Sequence, residues 1–147
     1  MRILGLDPGE KRIGVAISDP LGITAQGLEV ISYTEPDQAL KRLSEICLDY
    51  SVEKIIIGNP LNMNGSRGSA SELAEMFAES VSSKTGLPVE MLDERLTSSS
   101  AEKTLIAGGA SRKKRRKVKD KLAAVLILEQ YLALTESRKD RGVKNDQ

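Results

Sequence analysis

The sequence predicts an α/β fold in which helices flank a mixed five-stranded sheet. Three observations lead to this prediction. The first 32 residues contain three short apolar or alternating runs separated by turns, which is typical of an antiparallel meander. Helical and strand-like segments then alternate, which is typical of parallel strands joined by helices. The length of 147 residues fits one domain, which we expect over residues 1–137, followed by a charged, disordered tail over 138–147.

The first three strands are predicted from short apolar or alternating runs. A strand over residues 2–6 ends at the turn Asp7-Pro8-Gly9, and an alternating strand follows over 12–18. A third strand is predicted over 27–32. Pro36 then begins a helix in which apolar residues recur at helical spacing as far as Tyr50.

The second half of the chain is predicted to alternate between helices and strands. A short run over residues 54–57, apolar from Ile55 to Ile57, is typical of a strand that is buried on both faces. The last helix is apolar on nearly all sides from Leu122 to Leu128, so we expect it to be deeply buried. The remaining predicted elements are a polar loop over 62–71, a helix over 72–84, a strand over 89–92, a helix from Thr97 or Ser98 to Ile106, and the last helix over 119–134.

Composition excludes several classes of function. The chain has no histidine, which removes Ser-His and Cys-His catalysis and every zinc site that needs histidine. Its three tyrosines and one phenylalanine are too few for a single-strand binder built on aromatic stacking. No run of 18 apolar residues is present, so we expect no membrane contact. The single cysteine, Cys47, cannot form an internal disulfide, which favours the cytoplasm.

Charge is distributed unevenly along the chain. The net charge is +1, but residues 112–121 contain eight Lys or Arg and one Asp, a local charge of +7 that leaves −6 on the rest. Such a run is either a solvated charged face or a contact for the phosphate backbone of nucleic acid. We expect it to be a flexible segment before the last helix that becomes ordered on nucleic acid.

Acidic residues stand at three places where chemistry is plausible. Asp7 ends the first strand, Asp93 and Glu94 end the fifth, and Asp120 lies near the start of the last helix. If the first and fifth strands are parallel, their carboxylates lie at the same edge of the sheet. The structural alternative is that Asp7 caps a turn, Asp93 and Glu94 leave a strand at the surface, and Asp120 complements a helix N-terminus.

Together, the acidic residues predict a site for a hard divalent cation. Oxygen ligands without His or Cys select Mg²⁺ or Mn²⁺. Two such ions can promote phosphoryl transfer, one at the attacking water and one at the leaving oxygen. The basic run beside Asp120 would then guide a nucleic-acid backbone to this site.

Four motifs resemble, in order, those of the YqgF/RuvX family of pre-16S rRNA nucleases. They cover most of the chain, from Met1 to Leu134. The matching segments are LGLDPG with RIGVA over residues 4–16, IGNPLNMNG over 57–65, DERLT over 93–97, and Asp120 with the apolar residues 123–128. In the family the position of Leu92 is often histidine, and this departure weakens any role for that side chain but not for the acidic cluster.

The resemblance implies an RNase H-like fold, a relationship to RuvC-type Holliday-junction resolvases, and metal-dependent hydrolysis of phosphodiester bonds. It places the active site at Asp7, the Asp93-Glu94 pair and Asp120. Adjacent strand residues point to opposite faces, so only one of the pair should face the cluster. We favour Glu94 as the metal ligand, and the choice between Asp93 and Glu94 stays open at the level of sequence. The residues expected to contact nucleic acid are Arg95, Arg112, Lys113, Lys114, Arg115, Arg116, Lys117 and Lys119.

Three alternatives for function stay open at the level of sequence. Pre-rRNA is the favoured substrate, with a role in ribosome biogenesis, but branched DNA offers the same phosphodiester. A resolvase that cuts two strands symmetrically should be a two-fold dimer, whereas an rRNA nuclease can be a monomer or a homodimer. The basic run alone would also suit a non-catalytic nucleic-acid-binding module.

Overall fold

The structure is a computed structural model that describes residues 1–60, 68–93 and 112–145, with side chains described for all of these except 112–118 and 136–145. It contains five strands and three helices within these ranges. They are β1 (Arg2–Pro8), β2 (Arg12–Ser18), β3 (Ala25–Ser32), α1 (Pro36–Asp49), β4 (Val52–Asn59), α2 (Ser69–Thr85), β5 (Val89–Asp93) and α3 (Arg112–Asn145).

The strands form one mixed sheet in the order β3-β2-β1-β4-β5. Strands β1, β2 and β3 pair antiparallel, and β4 and β5 run parallel to β1. The predicted meander and the predicted mixed five-stranded sheet are therefore confirmed. Because β1, β4 and β5 are parallel, their carboxyl ends lie at one edge of the sheet, as the argument about the acidic residues requires.

Strand alternation divides the core between the two faces of the sheet. One face carries large aliphatic side chains that pack against α1 and α2; we call it the aliphatic face. The other face packs against α3; we call it the α3 face. The α3 face is built from Ile3, Ala16 and Ile56 on the strands and from Ala124, Ile127, Leu128, Tyr131 and Leu132 on the helix.

Glycines on the α3 face let the helix approach the sheet closely. A Cβ added to Gly5 would lie 2.9 Å from the Cβ of Leu128, closer than real Cβ atoms come. A Cβ at Gly14 would overlap the backbone carbonyl of Asp120. Packing of α3 therefore requires that these two positions carry no side chain.

The two shorter helices begin and end where the residues favour it. Pro36 occupies the first turn of α1, where its missing N–H costs nothing. Gly86 ends α2 in the left-handed conformation, with a φ of 71°. Helix α2 begins at Ser69, so the last part of the predicted loop over 62–71 is helical; residues 61–67 lie outside the described part of the chain.

The prediction for the last helix was wrong at both ends. We expected residues 119–134, but α3 extends from Arg112 to Asn145, so the basic run is helical rather than a flexible segment. The backbone is also helical through most of the predicted disordered tail at 138–147. Lys, Arg and Glu are good helix formers, and no proline interrupts either stretch.

Some predictions concern residues outside the described ranges. The helix predicted from Thr97 or Ser98 to Ile106 is one of them. The single domain over 1–137 stays a prediction. Among the described residues, no helix is both long enough and apolar enough to cross a membrane.

Candidate active site

Asp7 lies near the carboxyl end of β1 and on the α3 face. Ile3 belongs to the core against α3, and Gly5 lies beside Leu128 of that helix. Alternate residues of a strand point to the same face, so Asp7 lies on the α3 face with Ile3 and Gly5, beyond the packed core. It pairs with Gly14 in the β1–β2 ladder and is half-buried. Asp7 lies within the strand, one residue before β1 ends at Pro8.

Asp120 lies in the interior of α3, directly opposite the same ladder position. Its backbone carbonyl is seated against Gly14, the residue that pairs with Asp7. The helix begins eight residues earlier, at Arg112, so Asp120 does not complement a helix N-terminus. The contact between helix and strand therefore brings the predicted carboxylates of Asp7 and Asp120 to the same place.

A cleft of about 310 Å³ lies between the β1–β2 turn and α3. Acidic and basic side chains line it together, and glycine contributes backbone. The lining residues are Asp7, Gly9, Glu10, Lys11, Arg12 and Asp120. Two of the predicted catalytic residues, Asp7 and Asp120, thus share one cleft at the carboxyl edge of β1.

Arg12 joins the first residue of β2 to α3. Its Nε donates a hydrogen bond to Oδ2 of Asp120 at 2.7 Å. The side chain of Arg12 is 32% exposed and that of Asp120 is 20% exposed, so this ion pair is partly shielded from solvent. No role for Arg12 is predicted from the sequence, although strand alternation places Arg12 and Gly14 on the same face and is the signal that points to it.

The turn between β1 and β2 is held by hydrogen bonds to the backbone. The Gly9 amide donates to the carbonyl of Arg12 at 2.8 Å. The Tyr33 hydroxyl donates to the carbonyl of Gly9 at 2.9 Å, and the Tyr33 amide donates to the carbonyl of Lys11 at 3.0 Å. Burial, and then the negative charge of Glu10, raise the pKa of Tyr33, which keeps its hydroxyl protonated as a donor.

Asp93 lies on the other side of the sheet from Asp7. It pairs with Asn59, whose Oδ1 accepts a hydrogen bond from Ser71 Oγ of α2 at 2.6 Å. Leu92 packs against the α3 core and Met91 against the aliphatic core, so alternation assigns Asp93 to the aliphatic face. The structure therefore does not bring Asp93 together with Asp7 and Asp120.

The structure describes only some of the other predicted site residues. Glu94 and Arg95 lie outside the described residues. The backbone of residues 112–117 forms the first turns of α3, but their side chains are not described. Lys119 is half-buried in the same helix, one residue before Asp120. Their contacts with nucleic acid stay predictions.

The described donor set suits a hard cation that also binds substrate. Within the described ranges, no group of three or more His, Cys, Asp or Glu side chains could hold a metal ion by itself. The two carboxylates of the cleft nevertheless match the way Mg²⁺ is usually held, by one or two carboxylates together with substrate phosphates. Asp7 and Asp120 therefore fit the predicted metal chemistry.

Comparison with solved structures defines the class of fold. The RuvC of T. thermophilus, solved in complex with a Holliday junction substrate, is similar with a TM-score of 0.59 and 16% identity, over 92% of this chain and 96% of that one. The fowlpox virus resolvase, solved with Holliday junction DNA, has a TM-score of 0.56 and 12% identity, over 92% and 99%. The predicted RNase H-like fold of the resolvase type is confirmed.

Sequence comparison gives the family. The family model described as "RuvX: Holliday junction resolvase" matches residues 1–134. A Listeria innocua protein named "Putative pre-16S rRNA nuclease" is 53% identical over 137 residues, covering 92% of this chain and 99% of the relative. A Bacillus subtilis protein of the same name is 52% identical over 134 residues, covering 90% and 97%. The chain belongs to the RuvX family of nucleases, as the motifs predicted.

Proposed function

We propose that this protein is a metal-dependent endonuclease that hydrolyses phosphodiester bonds in processing the 5′ end of pre-16S rRNA in the cytoplasm. The observation that carries the proposal is the shared cleft of Asp7 and Asp120, which α3 and β1 bring together. The names of the Listeria and Bacillus relatives support the choice of substrate.

The proposed metal ligands are Asp7, Glu94 and Asp120, and the proposed cation is Mg²⁺ or Mn²⁺, bound as two ions. Hard oxygen donors without histidine favour these cations. Glu94 is preferred to Asp93 because Asp93 belongs to the aliphatic face, away from the cleft. The bound cations supply Lewis-acid stabilisation of the scissile phosphate and lower the pKa of an attacking water.

The chain itself has to position the reacting groups. The carboxylates of Asp7 and Asp120 are held by a strand and a helix rather than by loops, so their geometry is set before substrate binds. They can accept hydrogen bonds from an attacking water and keep it in line with the leaving oxygen. Gly9 carries no side chain, which lets a sugar-phosphate backbone approach the cleft.

The basic run is proposed to guide the nucleic acid towards the cleft. Arg112 begins α3 and Asp120 follows eight residues later, which corresponds to about 12 Å along the helix axis. A helix that carries Lys or Arg at most of these positions presents a dense positive charge next to the acidic cleft. Arg95 is proposed to contact the same backbone.

Cleavage of four-way DNA junctions is the second candidate function. The description of the family model and the similarity to resolvase folds favour it. Symmetric cutting of a junction requires a two-fold dimer, so sedimentation that shows only a monomer with junction DNA would count against it.

A cleavage assay tests the proposal and separates the two substrates. The wild-type protein and D7N would be incubated with a labelled pre-16S 5′-leader RNA and with a four-way DNA junction, each with Mn²⁺ or with EDTA. We expect RNA cleavage that requires Mn²⁺ and is lost in D7N. Junction cleavage instead would indicate recombination, and binding of both substrates without cleavage would indicate a non-catalytic module and contradict the proposal.

A further inference from the structure

We propose that Arg12 binds a phosphodiester of the nucleic-acid substrate inside the cleft, and that Asp120 holds its guanidinium in place for this contact. The inference rests on the proposed function, because it assumes that the cleft receives nucleic acid. It assigns a substrate contact within the cleft itself, in addition to the contacts predicted for the basic run.

The geometry fixes Arg12 before any substrate binds. Its backbone is the first residue of β2, and its carbonyl accepts the hydrogen bond from the Gly9 amide that closes the turn. Its Nε is tied to Oδ2 of Asp120 at 2.7 Å. With both ends held, little side-chain entropy is left to lose when an anion binds.

The chemistry of the side chain matches a phosphate. The bond to Asp120 uses only Nε, and a guanidinium carries four further N–H groups on its two terminal nitrogens. These groups form a planar fork that can bind two phosphate oxygens at once. The side chain is 32% exposed and lines the cleft, so an anion in the cleft can reach it.

The acidic lining of the cleft requires a cation if a phosphodiester is to bind there. Three lining residues are acidic, Asp7, Glu10 and Asp120, and they repel a phosphodiester. The two cations of the lining are Lys11 and Arg12, and Lys11 is exposed at the turn. Arg12 is therefore the cation whose position the structure fixes next to the carboxylates.

A purely structural role explains the ion pair less well. Ion pairs that are partly exposed contribute little to stability, about 0–1 kcal/mol in typical cases. Arg42 offers a matched comparison, because it pairs with Glu29 at 2.6 Å on the aliphatic side and its side chain is 40% exposed. It does not line the cleft of Asp7 and Asp120, so it shares the chemistry of Arg12 without access to a substrate in that cleft.

The test is the salt dependence of nucleic-acid binding. D7N would serve as the background, so that no cleavage occurs, and a labelled pre-16S 5′-leader RNA would be titrated in EDTA at several salt concentrations. We expect R12Q in this background to weaken the Kd about tenfold, and to reduce the slope of log Kd against log salt by about 0.7–0.9, the contribution of one phosphate contact. R42Q should change neither quantity.

A lysine variant and the folding of R12Q complete the design. R12K keeps the charge but not the fork, so we expect it to restore the slope and only part of the affinity. Thermal melting of each variant shows whether it is folded. If R12Q is not folded, the Kd of R12K is compared with that of D7N instead. Equal Kd values for D7N and its arginine-12 variants would overturn the inference alone. Absence of RNA binding by D7N itself would contradict the proposed function and the inference together.

Discussion

The two faces of the sheet are built from the same strands but by different rules. On the aliphatic face, large side chains such as Leu4, Leu6 and Ile57 interlock with α1 and α2. On the α3 face, glycine and alanine let the helix backbone lie directly on the strands, with Gly14 beneath Asp120. The large side chains of the aliphatic face stabilise the fold. The small residues of the α3 face let α3 approach closely enough to position the carboxylate of Asp120.

This difference has a consequence for function. Interlocked side chains can adjust to a small change, since volume-conserving swaps in a core cost little. A backbone seated on glycine cannot adjust in that way, because an added Cβ meets backbone atoms. The proposed catalytic geometry should therefore be sensitive to substitutions on the α3 face that would be mild elsewhere.

The largest combined effect on stability and on cleavage is expected for G14A. The new Cβ would overlap the carbonyl of Asp120, so α3 must shift or the strand must bend. We expect a loss of about 3 kcal/mol in the free energy of unfolding, together with loss of cleavage in the folded fraction. Urea denaturation and a cleavage assay below the transition would measure both.

G27A is the matched control on the same face. A Cβ at Gly27 would lie 3.5 Å from Cδ of Lys121, an ordinary van der Waals distance. Its free energy of unfolding should stay within about 0.5–1 kcal/mol of the wild type. Similar losses for G14A and G27A would show that glycine in general, rather than the seat of Asp120, matters.

On the aliphatic face, L43A should lower stability without altering the site. Leu43 of α1 is fully buried, and truncating a buried leucine costs about 2–5 kcal/mol. The cleavage rate per folded molecule should stay at the wild-type value. A cleavage rate per folded molecule well below the wild-type value would show that the two faces are coupled and would contradict this distinction between them.

A smaller effect is expected for Y131F, which lies on the α3 face but away from the cleft. The hydroxyl of Tyr131 accepts a hydrogen bond from Lys54 Nζ at 2.7 Å, and Lys54 also pairs with Glu90 at 2.9 Å. These contacts raise the pKa of Lys54. Removing the hydroxyl should cost about 1 kcal/mol in urea denaturation and leave cleavage unchanged. Loss of cleavage would mean that the whole α3 face supports the site.

The smallest effect concerns Cys47, on the aliphatic side. Burial raises the pKa of its thiol from the ordinary 9.0 to about 11. Between these values the folded protein binds more protons than the unfolded chain, so this group's contribution to stability is present below pH 9 and is lost as the pH rises towards 11. The stability difference between wild type and C47A should follow this course in urea denaturation. A difference independent of pH would contradict it.

Local patterns were enough to predict most of the fold. The alternation in RIGVAIS predicted β2 with the bounds that the structure has, Arg12–Ser18. The start of α3 was missed because the density of like charge in residues 112–119 indicated a solvated run, whereas Lys and Arg are individually good helix formers. A sequence pattern indicates which secondary structure a segment prefers. The cost of repulsion between like charges depends on the neighbouring groups in the folded protein, which the sequence alone does not give.

The candidate site could be predicted only in part. Asp7 and Asp120 were identified from their neighbours and from the family motifs, and the structure places both in one cleft. The ion pair between Arg12 and Asp120 joins residues from opposite ends of the chain, so no local pattern contains it. The assignment of Asp93 to the aliphatic face depended on the register with Asn59, which only the paired strands reveal.

The most direct test of the account is the single-turnover rate of RNA cleavage in three aspartate variants with Mn²⁺. D7N and D120N remove the two carboxylates of the cleft, and D49N removes an exposed carboxylate of α1. We predict that D7N and D120N lose at least about 100-fold in rate while folded, as expected for groups that position the reacting atoms, and that D49N keeps the wild-type rate. Cleavage at the wild-type rate by folded D7N or D120N would contradict the account, because the α3 face would then hold no catalytic carboxylate at that position.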